Sequence, residues 1–160
     1  MLKRKYPGSV HNHTDHSNNR LRDCINKVSD LIDYAIELGH ECVAITDHET
    51  LSSFIQVEKY AEKVVDKENN IRVKDKIKII RGNEIYLTRN KLNGSNFNKE
   101  RGDDYFHFVL LAKDIEGYHQ LCEYIFHIFF IHSSVDEHLV ATLHFLNIQL
   151  SLTVQFKTSL

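Results

Sequence analysis

Short apolar runs at residues 42–45, 77–80 and 106–112 are separated by stretches of helical periodicity, and this alternation limits the chain to few folds. Continuous apolar runs of that length read as strands buried on both faces. A short strand at Gly8-Ser9-Val10 leads into His11. Ser29-Asp30 opens a helix in which Leu31, Ile32, Ala35, Ile36 and Leu38 share a face, and Gly39 stands just past its end. Ser52 begins a second helix, with Phe54, Ile55, Ala61, Val64 and Val65 facing inward, closed by the polar run 66–70. Ile77, Ile79 and Ile80 form a strand that ends at Gly82-Asn83-Glu84. The 106–112 strand carries His107, and Asp114 caps a third helix through Tyr118, Leu121, Cys122 and Ile125. Strands alternating with helices predict an α/β fold built from βαβ units around a parallel sheet.

Composition narrows the functional classes. A chain of 160 residues, 42% hydrophobic, can bury one core. A net charge of −2 excludes the overall basic field of a nonspecific nucleic-acid binder. Cys24, Cys42 and Cys122 are odd in number and lack C-x-x-C spacing, which predicts free thiols in a reducing compartment, the cytoplasm. Residues 1–10 lack the apolar stretch of a secretory signal, and no membrane association is expected.

Against that background the placement of metal-ligand residue types is informative. In an extended segment His11 and His13 point the same way, so both imidazoles can reach one ion. With eleven histidines in the chain, a His-X-His pair also arises by chance, and a solvated pair is its bland reading. The distinguishing feature is recurrence: His13, His48 and Glu84 each follow a strand-like segment, and in parallel α/β barrels functional groups collect at the carboxyl ends of strands. Imidazole and carboxylate together suit zinc, manganese or iron. Asp47, next to His48, reads as a residue that orients a ligand or a backbone amide. His107 lies within an apolar strand, where a satisfied core histidine competes with a ligand. His16, His40 and His119 read as surface or core histidines.

The strings His11-Asn12-His13-Thr14, Ala44-Ile45-Thr46-Asp47-His48, Arg81-Gly82-Asn83-Glu84 and Phe106-His107-Phe108-Val109-Leu110-Leu111-Ala112-Lys113 resemble the early motifs of the polymerase and histidinol phosphatase (PHP) family. The last string, with Glu116-Gly117-Tyr118 and Leu121, resembles the PHP domain of the bacterial DNA polymerase III α subunit. The resemblance runs from about His11 to Tyr124. It implies a distorted (β/α)7 TIM-like barrel, here partial, holding up to three divalent metal ions at its strand ends. It further implies that His11 and His13 share one metal with a bridging Glu84, that Asp23 and His48 serve a second, and that His107 joins Glu84 at a third. His11, His13, His48 and Glu84 would then carry hydrolysis of a phosphate ester or a single-stranded DNA end. Polymerase domains or other replication proteins are the implied partners.

Residues 125–160 differ from 1–124: their charged residues are Asp136, Glu137 and Lys157, and they contain neither Gly nor Pro. Leu146, Ile148, Leu150, Leu152, Val154 and Phe156 alternate with polar residues, which predicts an amphipathic strand after one helix end. This tail reads as a divergent or frame-disrupted end, so the site is expected to lack the family's further Cys or His ligand and its late Asp-X-His. His132, Asp136, His138 and His144 are irregularly spaced and are assigned no ligand role. The basic segment 89–101 reads as a solvated loop, or as a phosphate contact if DNA is the substrate. Three functions stay open: a truncated metal-dependent phosphoesterase of DNA polymerase III α type, including 3′ to 5′ proofreading; a metal-stabilised structural module or inactive remnant of such a polymerase; and a stand-alone phosphatase like histidinol phosphatase. No residue here resembles a polymerase active site.

Overall fold

The computed structural model describes residues 7–19, 22, 24–88, 105–132, 140–142 and 152–156. The chain divides into two units, Met1–Asn83 and Glu84–Leu160.

In the first unit the central strand is β1 (Cys42–Ile45), whose Val43, Ala44 and Ile45 are fully buried. One edge of β1 pairs in parallel with the start of β4 (Lys78–Thr88), from Cys42 opposite Lys78 to Ile45 opposite Arg81. Its other edge takes the extended segment before His13. The Ser9 amide donates to the Cys42 carbonyl, Ala44 to the Ser9 carbonyl and Thr46 to the Asn12 carbonyl. Gly8 makes this approach possible: its φ is +130°, and a Cβ there would lie 2.1 Å from the Cys42 carbonyl oxygen.

Helix α1 (Val28–Glu37) buries Val28, Ile32 and Ala35, one stripe at helical spacing. Gly39, at φ +73°, ends it: the Gly39 amide donates to the Ile36 carbonyl and the His40 amide to Ala35, a Schellman closure. The inward face predicted for this helix is corrected at Leu38, which is exposed, and extended by Val28. Helix α2 (Phe54–Ala61) buries Phe54 and Val57, whereas Ile55, predicted inward, is 68% exposed.

Val64 and Val65, also assigned to that helix, instead form β2 (Val64–Asp66), antiparallel to β3 (Ile71–Arg72). Paired β-branched residues favour strand over helix, and the Asp66 carboxylate builds the turn by accepting the amides of Glu68 and Asn69. The one-turn helix α3 (Val73–Lys76) then leads into β4. Glu84 was expected at that strand's end, but β4 continues through it to Thr88.

In the second unit, Tyr86–Thr88 of β4 pair in parallel with β6 (Val140–Thr142). β5 (Tyr105–Ala112) buries Phe108, Val109, Leu110 and Leu111, and neighbours β4 in the sheet. Its partner is β7 (Leu152–Phe156), running antiparallel from Phe108 opposite Phe156 to Ala112 opposite Leu152. An all-parallel sheet is therefore corrected: the amphipathic strand of the tail joins from the opposite direction. Residues 146–151 of that strand lie outside the described residues. Helix α4 (Ile115–His132) opens where the Asp114 carboxylate accepts the Gly117 amide, buries Leu121, and runs without interruption past Tyr124. No helix among the described residues is long and apolar enough to cross a membrane.

Candidate metal centre

In the first unit, alternation along an extended segment turns His11 and His13 to one side and Asn12 to the other. Asn12 is tied down on its side: its amide group donates to the carbonyls of Ser9 and Ala44, its side-chain oxygen accepts the Ser9 hydroxyl, and its backbone N–H donates to Thr46 Oγ1. The two histidines are thereby presented together, with their Nε2 atoms 3.0 Å apart and their rings edge to face at 4.9 Å. The His48 ring stacks on His13, centroids 4.2 Å apart and planes 7° from parallel. An open cavity of about 280 Å³ is lined by His11, Asn12, His13, Cys24 and Asn26.

Behind these rings lies a buried polar network. The Asp47 carboxylate, 1% exposed, accepts the Thr14 amide at 2.6 Å, the Thr14 hydroxyl at 2.9 Å and the Ser17 hydroxyl at 2.9 Å. Ser17 Oγ in turn accepts the His48 amide at 3.1 Å and lies 3.3 Å from His13 Nδ1. The side-chain amide of Asn83 donates to the carbonyls of Asp47 and Thr50, both at 2.8 Å, and so pins the loop that carries His48.

In the second unit, Glu84 is buried and its carboxylate contacts His107 Nδ1. His107 is no core residue: 54% of its side chain is exposed, and its ring stands edge-on to Tyr86 at 4.7 Å.

The His11 and His13 pair in the first unit, and the Glu84 and His107 pair in the second, have ligand atoms close enough to hold a metal ion. Asp23 lies outside the described residues, as do segment 89–101, Asp136, His138 and His144. His16 is engaged with Ser52, its Nδ1 2.7 Å from the hydroxyl, and His119 sits beside Tyr118. Thr14, Ser17 and Asn83 escaped sequence reasoning. Single small polar residues carry no periodicity of their own, and the spacing of Ser17 from the His-X-His pair was the one available signal.

Residues 9–154 match the PHP domain family. The match passes Tyr124 and takes in Asp136-Glu137-His138, which has the Asp-X-His spelling expected to be missing from the tail. Over 112 residues, 69% of this chain, the sequence is 37% identical to "Probable DNA polymerase YorL" of Bacillus subtilis (strain 168). It is equally similar to "DNA-directed DNA polymerase" of Bacillus phage SPbeta. The aligned region spans 8% of the length of each of these relatives. With a family match over most of the chain and relatives this similar beside it, this chain belongs to the PHP domain family.

Proposed function

We propose that this chain is the metal-dependent phosphoesterase domain of a replicative DNA polymerase of the DNA polymerase III α type. PHP domains are typically metal-dependent hydrolases, and the DNA polymerases among its relatives favour this setting over a stand-alone histidinol-phosphatase-like enzyme. The observation that carries the metal reading is the 3.0 Å approach of the His11 and His13 Nε2 atoms. Two imidazole nitrogens bound to one tetrahedral zinc at about 2.0–2.1 Å stand roughly 3.3 Å apart, a small relaxation from this spacing.

On this reading His11 and His13 hold one ion with Glu84 as a shared carboxylate, Asp23 and His48 hold a second, and His107 with Glu84 a third. Bound zinc, manganese or iron supplies Lewis acidity and a water acidic enough to ionise near neutral pH. The chain's own residues fix the ligands: Asn12 clamps the His-X-His segment, and the Asp47 network holds His13 and His48 at a fixed spacing. The substrate is a phosphate ester, with a single-stranded DNA 3′ end as the leading candidate, and the partners are the polymerase's other domains and replication proteins in the cytoplasm. The strands belong, in the same proposal, to a distorted (β/α)7 barrel of which this chain forms part.

The test pairs metal content with turnover. The purified chain should retain zinc or manganese, and His13→Ala or Glu84→Ala should lower the metal content far more than His119→Ala. Equal loss in all three variants would reject the assignment. Metal-dependent shortening of a single-stranded oligonucleotide, abolished by His48→Ala, supports the hydrolase; retained metal without turnover would instead make the domain a metal-stabilised structural module.

A further inference from the structure

We infer that Ser17 is a positioning residue that sets which nitrogen of His13 carries the proton, so that Nε2 presents its lone pair. The inference rests on the metal-centre reading for its purpose, but its geometry lies wholly within the first unit. Ser17 is fully buried and its hydroxyl has one hydrogen and two lone pairs. A carboxylate oxygen is the strongest acceptor within reach, and Asp47 Oδ1 at 2.9 Å takes the hydrogen. One lone pair is committed to the His48 backbone N–H at 3.1 Å, a group that can only donate. The other faces His13 Nδ1 at 3.3 Å.

With its hydrogen already given to Asp47, Ser17 can only accept from His13, so Nδ1 must carry a hydrogen. In the neutral ring Nε2 is then left unprotonated, and this is the atom that faces His11 Nε2. The bond made by one ring nitrogen thus dictates the state of the other. The same hydroxyl holds the His48 backbone, so one buried side chain governs two histidines. Asp47, one step further back, acts on His13 through Ser17.

The test uses the full chain without metal, labelled with 15N at histidine. In the wild type, His13 Nδ1 should give the signal of a protonated nitrogen and Nε2 that of an unprotonated one. Ser17→Ala should mix or reverse the two states and weaken zinc binding by roughly 10- to 100-fold. Ser17→Thr, which keeps the hydroxyl, should restore both. A wild-type His13 protonated on Nε2 would overturn the inference even if Ser17→Ala failed to fold, as would a folded Ser17→Ala with unchanged signals and zinc affinity. Should the wild type bind no zinc, the metal reading fails, and the nitrogen signals alone still decide what Ser17 does.

Discussion

His13 and His107 are both proposed ligands, yet their surroundings differ in kind. His13 stands in front of a buried network in which the Asp47 carboxylate gathers the Thr14 amide, the Thr14 hydroxyl and the Ser17 hydroxyl. His107 projects half-exposed from β5 beside Glu84 and Tyr86. In the first unit the groups that orient histidines also hold the loops together, so fold and site share the same bonds. In the second, apolar strand residues Phe108 to Leu111 are buried in the core, and His107 adds a contact with the Glu84 carboxylate. Substitutions in the first unit should therefore cost stability and metal binding together, and at His107 chiefly metal binding.

The largest effect should come from Asp47→Ala. It leaves a buried amide and buried hydroxyls without their acceptor, for a loss of about 3 kcal/mol in denaturant unfolding. A loss below about 1 kcal/mol would break the contrast between the units. Gly8→Ala should follow, at about 2 kcal/mol, because the left-handed backbone and the Cys42 carbonyl both oppose a side chain. Its local signature is faster hydrogen exchange at the Ala44 and Thr46 amides, which bond to the segment that Gly8 admits. His107→Ala should cost least, about 1 kcal/mol, because the ring is half-exposed and the change withdraws one hydrogen-bond partner from the buried Glu84 carboxylate, while metal content falls measurably. A loss of stability as large as that of Asp47→Ala would show that both units build their ligands into the fold in the same way.

The parts of the fold legible in the sequence were those governed by a period or a strong local signal. β1 reads as an unbroken apolar run, Gly39 as a helix stop and Asp114 as a helix start, and each stands where it was expected. Apolar residues misled where two elements competed for them: Val64 and Val65 continue a helical pattern on paper but pair as a strand. Strand ends and direction were also illegible, since the extension of β4 past Glu84 and the antiparallel entry of β7 depend on partners distant in sequence. Within the candidate site, the imidazoles could be read because alternation dictates where they point. Ser17, Thr14 and Asn83 could not, because their value lies in contacts across 30 or more residues with Asp47, visible only after folding.

Asn12 occupies the position that a pattern search for His-X-His treats as a wild card. In this chain it is the anchor of the motif, joined to Ser9, Ala44 and Thr46. The information that presents two histidines side by side is thus stored largely in the residue between them. Transplanting the pair onto a strand of another protein would reproduce the spelling without the aim, unless the clamp of Ser9, Asn12 and Thr46 travelled with it.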